Sequence, residues 1–359
     1  MSLFHRSRRA IFALRVGVLT ALALAGLVAA GPAFAQQFEK NILTGGPAGT
    51  YIQFGRDIAR IAGECGITLN VRESAGSLEN FVGVRQRSFT QFGIVQSDVL
   101  EYLRTYASND PEIARTIAGV RIAFPLYNEE VHLLARSDIG SLADLAGKRV
   151  AVGVEDSGTY VTATLVLDLT EVAAERVTIG PDESLRQLLA GEIDAFFYVA
   201  GAPTKLFQNP GISADRFHLL ALTDPVLQAV YTPATIAADT YPFQSDPVEA
   251  VAVKAVLMTY EYQIGKNGYH RASCDAVRSI SHLVLAKFAE LKETGHPKWT
   301  QVDLTDIPPG WEVGACVNMG LDPEFTLPCT RNTAPAAEPA MSAANATYRR
   351  RICDAIGGC

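Results

Sequence analysis

Short apolar runs of strand character alternate with helical stripes along most of this chain, and glycine and small hydroxyl residues fill the junctions. Residues 40–43 read as a strand, 45–49 (GGPAG) as a turn, and 51–62 as a helix with the stripe Tyr51, Ile52, Phe54, Ile58, Ile61 and Ala62. Strands are expected at 67–71, 92–95 and 120–126, with helices at 77–85 and 97–105. A second cycle predicts strands at 131–135, 148–154, 177–179, 193–199 and 217–221, and helices at 142–145, after 157–159, and at 183–190. Beyond Thr232-Pro233 the spacing predicts long helices over 247–260 and 273–290. Such alternation predicts a mostly parallel sheet with helices on both faces, divided into two α/β lobes that are joined by crossings at 124–126 and 232–234. Function is then expected in the cleft between the lobes.

The start of the chain has the form of an export leader. Arg6, Arg8 and Arg9 precede an apolar run over 16–30, and Ala33-Phe34-Ala35 before Gln36 is a small-x-small cleavage pattern. The apolar run is short of the roughly 20 residues that span a bilayer. The expected divisions are a signal peptide at 1–35, one lobe from 36–125 plus 234–330, a second at 126–233, and a tail at 331–359 rich in Ala and Pro. A mature protein starting near Gln36 works in a periplasmic space.

Removing Arg6, Arg8, Arg9 and Arg15 with the leader takes the formal charge from -7 to -11. An acidic surface without a basic run repels nucleic acid and anionic lipid. Six cysteines in an exported chain can be oxidised, and they allow 15 pairings. Cys274 with Cys316 is the preferred pair, with Cys353 or Cys329 bonded within the tail. No C-x-x-C occurs and the six histidines show no ligand spacing, so no metal or other cofactor is expected.

Four loops lie where a strand hands over to a helix, which is where open α/β sheets place ligands: TGGPAGTY (44–51), SAGSLEN (74–80), Gln96-Ser97-Asp98, and DSGTY (156–160). Each composition also suits an ordinary helix cap or turn. Together, at matching positions, they favour a binding cleft whose backbone N–H groups face a carboxylate. TGGPAGTY lacks the Lys and Ser/Thr of a phosphate-binding loop and the G-x-G-x-x-G spacing. Ser157 is not in a G-x-S-x-G elbow, and none of the four loops holds a histidine to serve as base. His132 reads as a satisfied core or edge histidine. Glu129 and Glu130, being adjacent on a strand, point to opposite faces.

TGGPAGTY, SAGSLEN, FGIVQSDV (92–99), PLYNEEVHLLAR (125–136), SLADLAGKRVAVGVEDSGT (141–159) and LLAGEIDAFFYVAGAP (188–203) resemble the TAXI-type solute receptors of tripartite ATP-independent periplasmic (TRAP) transporters, over residues 41–262. The resemblance implies a two-lobed type II periplasmic binding protein fold with a hinge and an interlobe cleft. It implies a monomeric receptor, not an enzyme, that passes a glutamate-like amino acid or an oxo- or dicarboxylic acid to the TRAP membrane permease subunits. Carried over by motif position, the ligand-binding residues are Thr50, Tyr51, Ser77, Asn80, Gln96, Ser97 and Asp98 from one lobe. Tyr127 and Glu129 stand near the crossing, and Ser157, Gly158, Thr159, Tyr198 and Gly201 come from the other lobe. Asn128 departs from the proline that the family often has between Tyr and Glu. Rival readings are an enzyme on the same scaffold and a sensor for a membrane kinase.

Overall fold

The computed structural model describes residues 38–329 apart from Ala48. The expected leader, the tail, Cys353 and Cys359 lie outside the described residues. In chain order the first half is β1 (Asn41–Leu43), α1 (Thr50–Glu64), β2 (Asn70–Arg72), α2 (Ser77–Gln86), β3 (Thr90–Gln96), α3 (Val99–Tyr106), α4 (Pro111–Gly119) and β4 (Val120–Arg136). Then follow β5 (Arg149–Ala151), α5 (Gly158–Leu169), β6 (Glu175–Val177), α6 (Pro181–Ala190), β7 (Ala195–Ala200), β8 (Phe217–Leu219), α7 (Pro225–Val230), β9 (Thr232–Ile236) and β10 (Val248–Tyr260). The chain finishes with α8 (Gly268–Ala286), α9 (Phe288–Thr294) and α10 (Ala315–Leu321), and short 3₁₀ turns lie at Leu142–Leu145, Lys205–Gln208 and Pro297–Gln301.

The hydrogen-bonded strand order is β2-β1-β3-β10-β4-β7-β5-β6, with β8 added to β4 and β9 to β10. The expected βαβ grammar is present twice. β1-α1-β2-α2-β3 builds a parallel β2-β1-β3 set, and β5-α5-β6-α6-β7 builds a parallel β6-β5-β7 set with the same internal order. Each set is flanked by an antiparallel strand, β10 beside β3 and β4 beside β7. The fold is a two-lobed α/β one, but the sheet is mixed rather than mostly parallel, because β4 and β10 run against both sets and β8 and β9 add further antiparallel pairs.

Each lobe has its own core. In the first, Phe54 of α1 stacks on Trp299 with ring centroids 4.3 Å apart and lies 4.8 Å from Tyr127, all three buried. In the second, α5 and α6 cover opposite faces of the strands, Val166 entering one cluster and Leu185 the other.

Two expectations fail in an instructive way. The helix expected at 247–260 is instead strand β10 (Val248–Tyr260), because VEAVAVKAVLMTY is apolar on both faces of a central strand and a buried apolar run has no periodicity of its own. The separate strands expected at 120–126 and 131–135 are one 17-residue strand, β4. Pro125 does not break it, since the ladder to β10 shifts register there. The return crossing also moves. Val251 and Val253 pack in the second lobe while Ala255 and Leu257 pack in the first, so the chain crosses at 252–254 instead of 232–234.

Cys274 bonds Cys316, as expected, tying α8 to α10. Cys329 bonds Cys65 and not a tail cysteine, because the last described segment returns to the end of α1. Replacing both Cys274 and Cys316 by alanine is expected to cost about 2–5 kcal/mol of unfolding free energy, read from urea melts of the oxidised protein.

Candidate functional site

Both parallel sets reverse strand order beside their first strand, and an open α/β sheet leaves a crevice at such a reversal, outside the carboxyl ends of its strands. Here the two crevices share one cavity of about 990 Å³, bounded by the end of β3 and the loops after β1, β2, β5, β6 and β7. Helices α1, α2, α5 and α6 begin at it, through Gly49-Thr50-Tyr51, Gly76-Ser77, Ser157-Gly158-Thr159 and Pro181-Asp182, although in α6 a proline stands in the first turn and Asp182 and Glu183 add negative charge there. A helix start carries roughly half a positive charge and free N–H groups. No side chain caps α1 or α2 at the N-cap position, while Ser157 Oγ accepts from Tyr160 N at 3.1 Å in α5. Glu79 partly offsets α2 by accepting from Ala75 N at 2.6 Å.

The starts of α2 and α5 touch. Gly76 has φ of 133°, a region closed to most side chains, and its backbone rests against Ser157 and Gly158. A methyl group on Gly158 would overlap Gln96 Oε1 and Ser77 Oγ, so this contact between lobes depends on glycine. Glu79 N donates to Asp156 O at 3.3 Å across the same seam.

On the cavity wall, Glu129 Oε2 accepts from Tyr51 OH at 2.6 Å, and Tyr127 OH reaches Oε1 at 3.4 Å. Burial pushes the Glu129 carboxyl up to about 8, against the pull of those hydroxyls, with the neighbouring charge of Glu130 adding to the rise. At neutral pH this group is mostly a neutral acid that can donate a hydrogen bond. Glu130 faces the other way and pairs with the buried Lys298 at 3.1 Å.

Of the residues singled out in the sequence, Thr50, Tyr51, Ser77, Gln96, Glu129, Ser157, Gly158, Thr159 and Tyr198 line the cavity. Besides Tyr51 with Glu129 and Ser157 Oγ with Val154 O and Tyr160 N, Ser77 Oγ is engaged with Gln96 N at 3.0 Å and Thr159 Oγ1 with Val199 N at 3.2 Å. Asn80, Ser97, Asp98, Tyr127 and Gly201 are not on the wall. Asn80 is wholly buried beneath it, donating to Thr44 O and Ile94 O at 2.5 and 2.7 Å. Ser97 is held through its backbone, to Lys254 O and the Trp311 indole. Tyr127 packs in the first core, and Gly201 lies against Lys298 and Tyr127.

Asp98 is a lobe-to-lobe contact: Oδ2 accepts from Thr162 of α5 at 2.8 Å and from Tyr231 at 3.2 Å. Burial pushes its carboxyl up to about 6, with those hydroxyls opposing. It stands at the N-cap of α3 yet makes no cap bond there.

Residues 42–270 match the NMT1-like family, well over half of the chain. The chain belongs to that family. Among solved structures, this NMT1-like chain is similar to SsuA, described as the periplasmic sulfonate-binding protein of a sulfonate ABC transporter from Methylobacillus flagellatus KT, at 13% identity over 78% of this chain and 75% of that one, TM-score 0.44. It is also similar to the periplasmic binding protein BugD, at 10% identity, 68% and 82% coverage and TM-score 0.42. A third is the substrate binding protein of an amino acid ABC transporter, at 13% identity, 72% and 99% coverage and TM-score 0.38.

The sequence reading of this NMT1-like chain overlooked one end of the cavity: Pro181, Leu185 and Leu189 of α6 and the turn at Lys205–Gln208. The available signal was topological, because α6 follows β6 as α2 follows β2. A buried relay supports this end. Tyr241 OH accepts from Thr204 N at 3.1 Å and so donates to His132 Nε2 at 2.7 Å, which leaves Nδ1–H for Glu130 O at 2.9 Å. Burial pushes His132 down to about 4, so the imidazole is neutral and the relay is unchanged across physiological pH.

Two outcomes follow from this geometry. The Glu129 carboxyl has its folded value above the ordinary 4.5, so it draws stability away as pH rises from 4.5 through about 8. Urea melts of Glu129→Gln should show a shallower loss than wild type over that window, by up to roughly 1.4 kcal/mol per pH unit. Gly158→Val should force the α2 and α5 starts apart at a cost of about 1–3 kcal/mol in the same measurement.

Proposed function

We propose that this chain is an exported solute receptor that captures a carboxylate-bearing organic molecule between its lobes and delivers it to an ion-gradient-driven membrane permease of the TRAP type. The observation that carries the reading is the single cavity shared by two strand-order crevices, with the starts of α1, α2 and α5 converging on it beside that of α6. Converging N–H groups stabilise an anionic head without an arginine clamp, and a neutral Glu129 adds a donor. The lobes are taken as residues up to 128 with 254 onward, and residues 129–253, following the two cores. Delivery to a TRAP permease, and export with cleavage near Ala35, rest on the resemblance and on the leader pattern.

Capture needs no covalent step. A micromolar ligand supplies about 8 kcal/mol, and a shift of a two-state hinge from 1:99 to 99:1 takes about 5.5 kcal/mol of differential affinity. Such a ligand suffices when most of its contacts form only between closed lobes. A thermal-shift screen of the processed protein against carboxylates and neutral sugars tests this. A carboxylate at about 100 times its Kd should add about 2.7 kcal/mol of stability and raise the melting temperature by several degrees. Stabilisation by sugars alone, or conversion of the bound molecule, would remove the reading.

A further inference from the structure

We propose that the captured solute is an amphipathic monocarboxylate: a carboxylate head at the starts of α1, α2 and α5, and an apolar body longer than a glutamate side chain, lying between α6 and the Lys205–Gln208 turn. This rests on the reading of the chain as a carboxylate receptor and adds the chemistry of the rest of the ligand.

The cavity does not stop at the helix starts. Helices α5 and α6 cover opposite faces of the second lobe's strands, yet both line the same space, so the cavity passes over the strand ends from one face to the other. Its far end changes character. Leu185 and Leu189 line it one helical turn apart, with Ile179 and Leu206 on the flanking segments. Ile179, Leu189 and Leu206 are only partly buried by the protein's own packing, so folding leaves apolar surface turned to the cavity. Apolar surface left wet in such a cleft is what an apolar ligand group recovers. The start of α6 at this end does not make a second carboxylate seat, because Pro181 has no N–H to offer and Asp182 and Glu183 place negative charge in the first turn. Arg186 is paired with Glu183 and Glu192, and the exposed Asp182 and Lys205 carry opposite signs.

Isothermal titration of the processed protein with butyrate, hexanoate and octanoate, beside glutamate, 2-oxoglutarate and n-octanol, tests this. Affinity is expected to rise about fourfold per methylene along the acid series, with octanoate at least tenfold tighter than either dicarboxylate and than octanol. Leu189→Gln and Leu206→Gln, each checked for a native melt, should shrink the octanoate-to-butyrate ratio several-fold. A flat series, an unchanged ratio in both variants, or tighter binding of glutamate or 2-oxoglutarate would overturn the apolar body while leaving carboxylate capture standing. Octanol matching octanoate would overturn the anionic head. If no carboxylate of either kind bound, carboxylate capture would fall, and this inference with it.

Discussion

Strands β4 and β10 hydrogen-bond to each other along the stretch where the chain passes from one core to the other, with Asn128, Glu129 and Glu130 opposite Lys254, Val253 and Ala252. Everything else hangs on that pair. Each strand is long enough to belong to both lobes, so the lobes share backbone ladders instead of meeting through a loop. The pair also fixes where Glu129 stands. Because neighbouring side chains on a strand alternate, Glu129 turns to the cavity and Tyr51 while Glu130 turns to Lys298.

The cavity wall is stiffened by polar groups that the ligand never has to meet. Asn80 ties the loop after β1 to β3, Thr159 holds β7, and the His132–Tyr241 pair holds Thr204. Buried amides and hydroxyls that find partners cost little and restrict the backbone around them. The backbone at the helix starts is thereby held in place, and for the solute proposed above a preformed site of that kind lowers the ordering cost of binding.

The two βαβ cycles were legible in the sequence because amphipathic helices such as α1 carry a 3.6-residue stripe and short flanking strands are bounded by glycine. The loops after β1, β2 and β5 were legible for the same reason. Strand β10 was not, since a strand buried on both faces carries no alternation. Asn80 and Asp98 sat in the right segments but proved to be internal supports: a motif places a residue on a loop and says nothing about which way its side chain turns. The apolar end of the cavity was invisible, because Leu185 and Leu189 fit an ordinary core-facing stripe. Only the assembled lobes show that part of that stripe is left uncovered. Cys65 likewise had no partner in its neighbourhood of sequence, and its bond to Cys329 spans 264 residues.

The touching starts of α2 and α5 bring two partial positive charges of the same sign together at Gly76 and Gly158, beside Gln96 Oε1 and Ser77 Oγ. Like ends repel, and the interior of such a seam screens them less than water does. An anion lodged there changes repulsion into mutual attraction, each helix pulling on the same guest. On the proposed reading, such an anion adds an electrostatic tie between lobes to the apolar one that Val161 and Leu165 of α5 make with Val99 and Leu103 of α3.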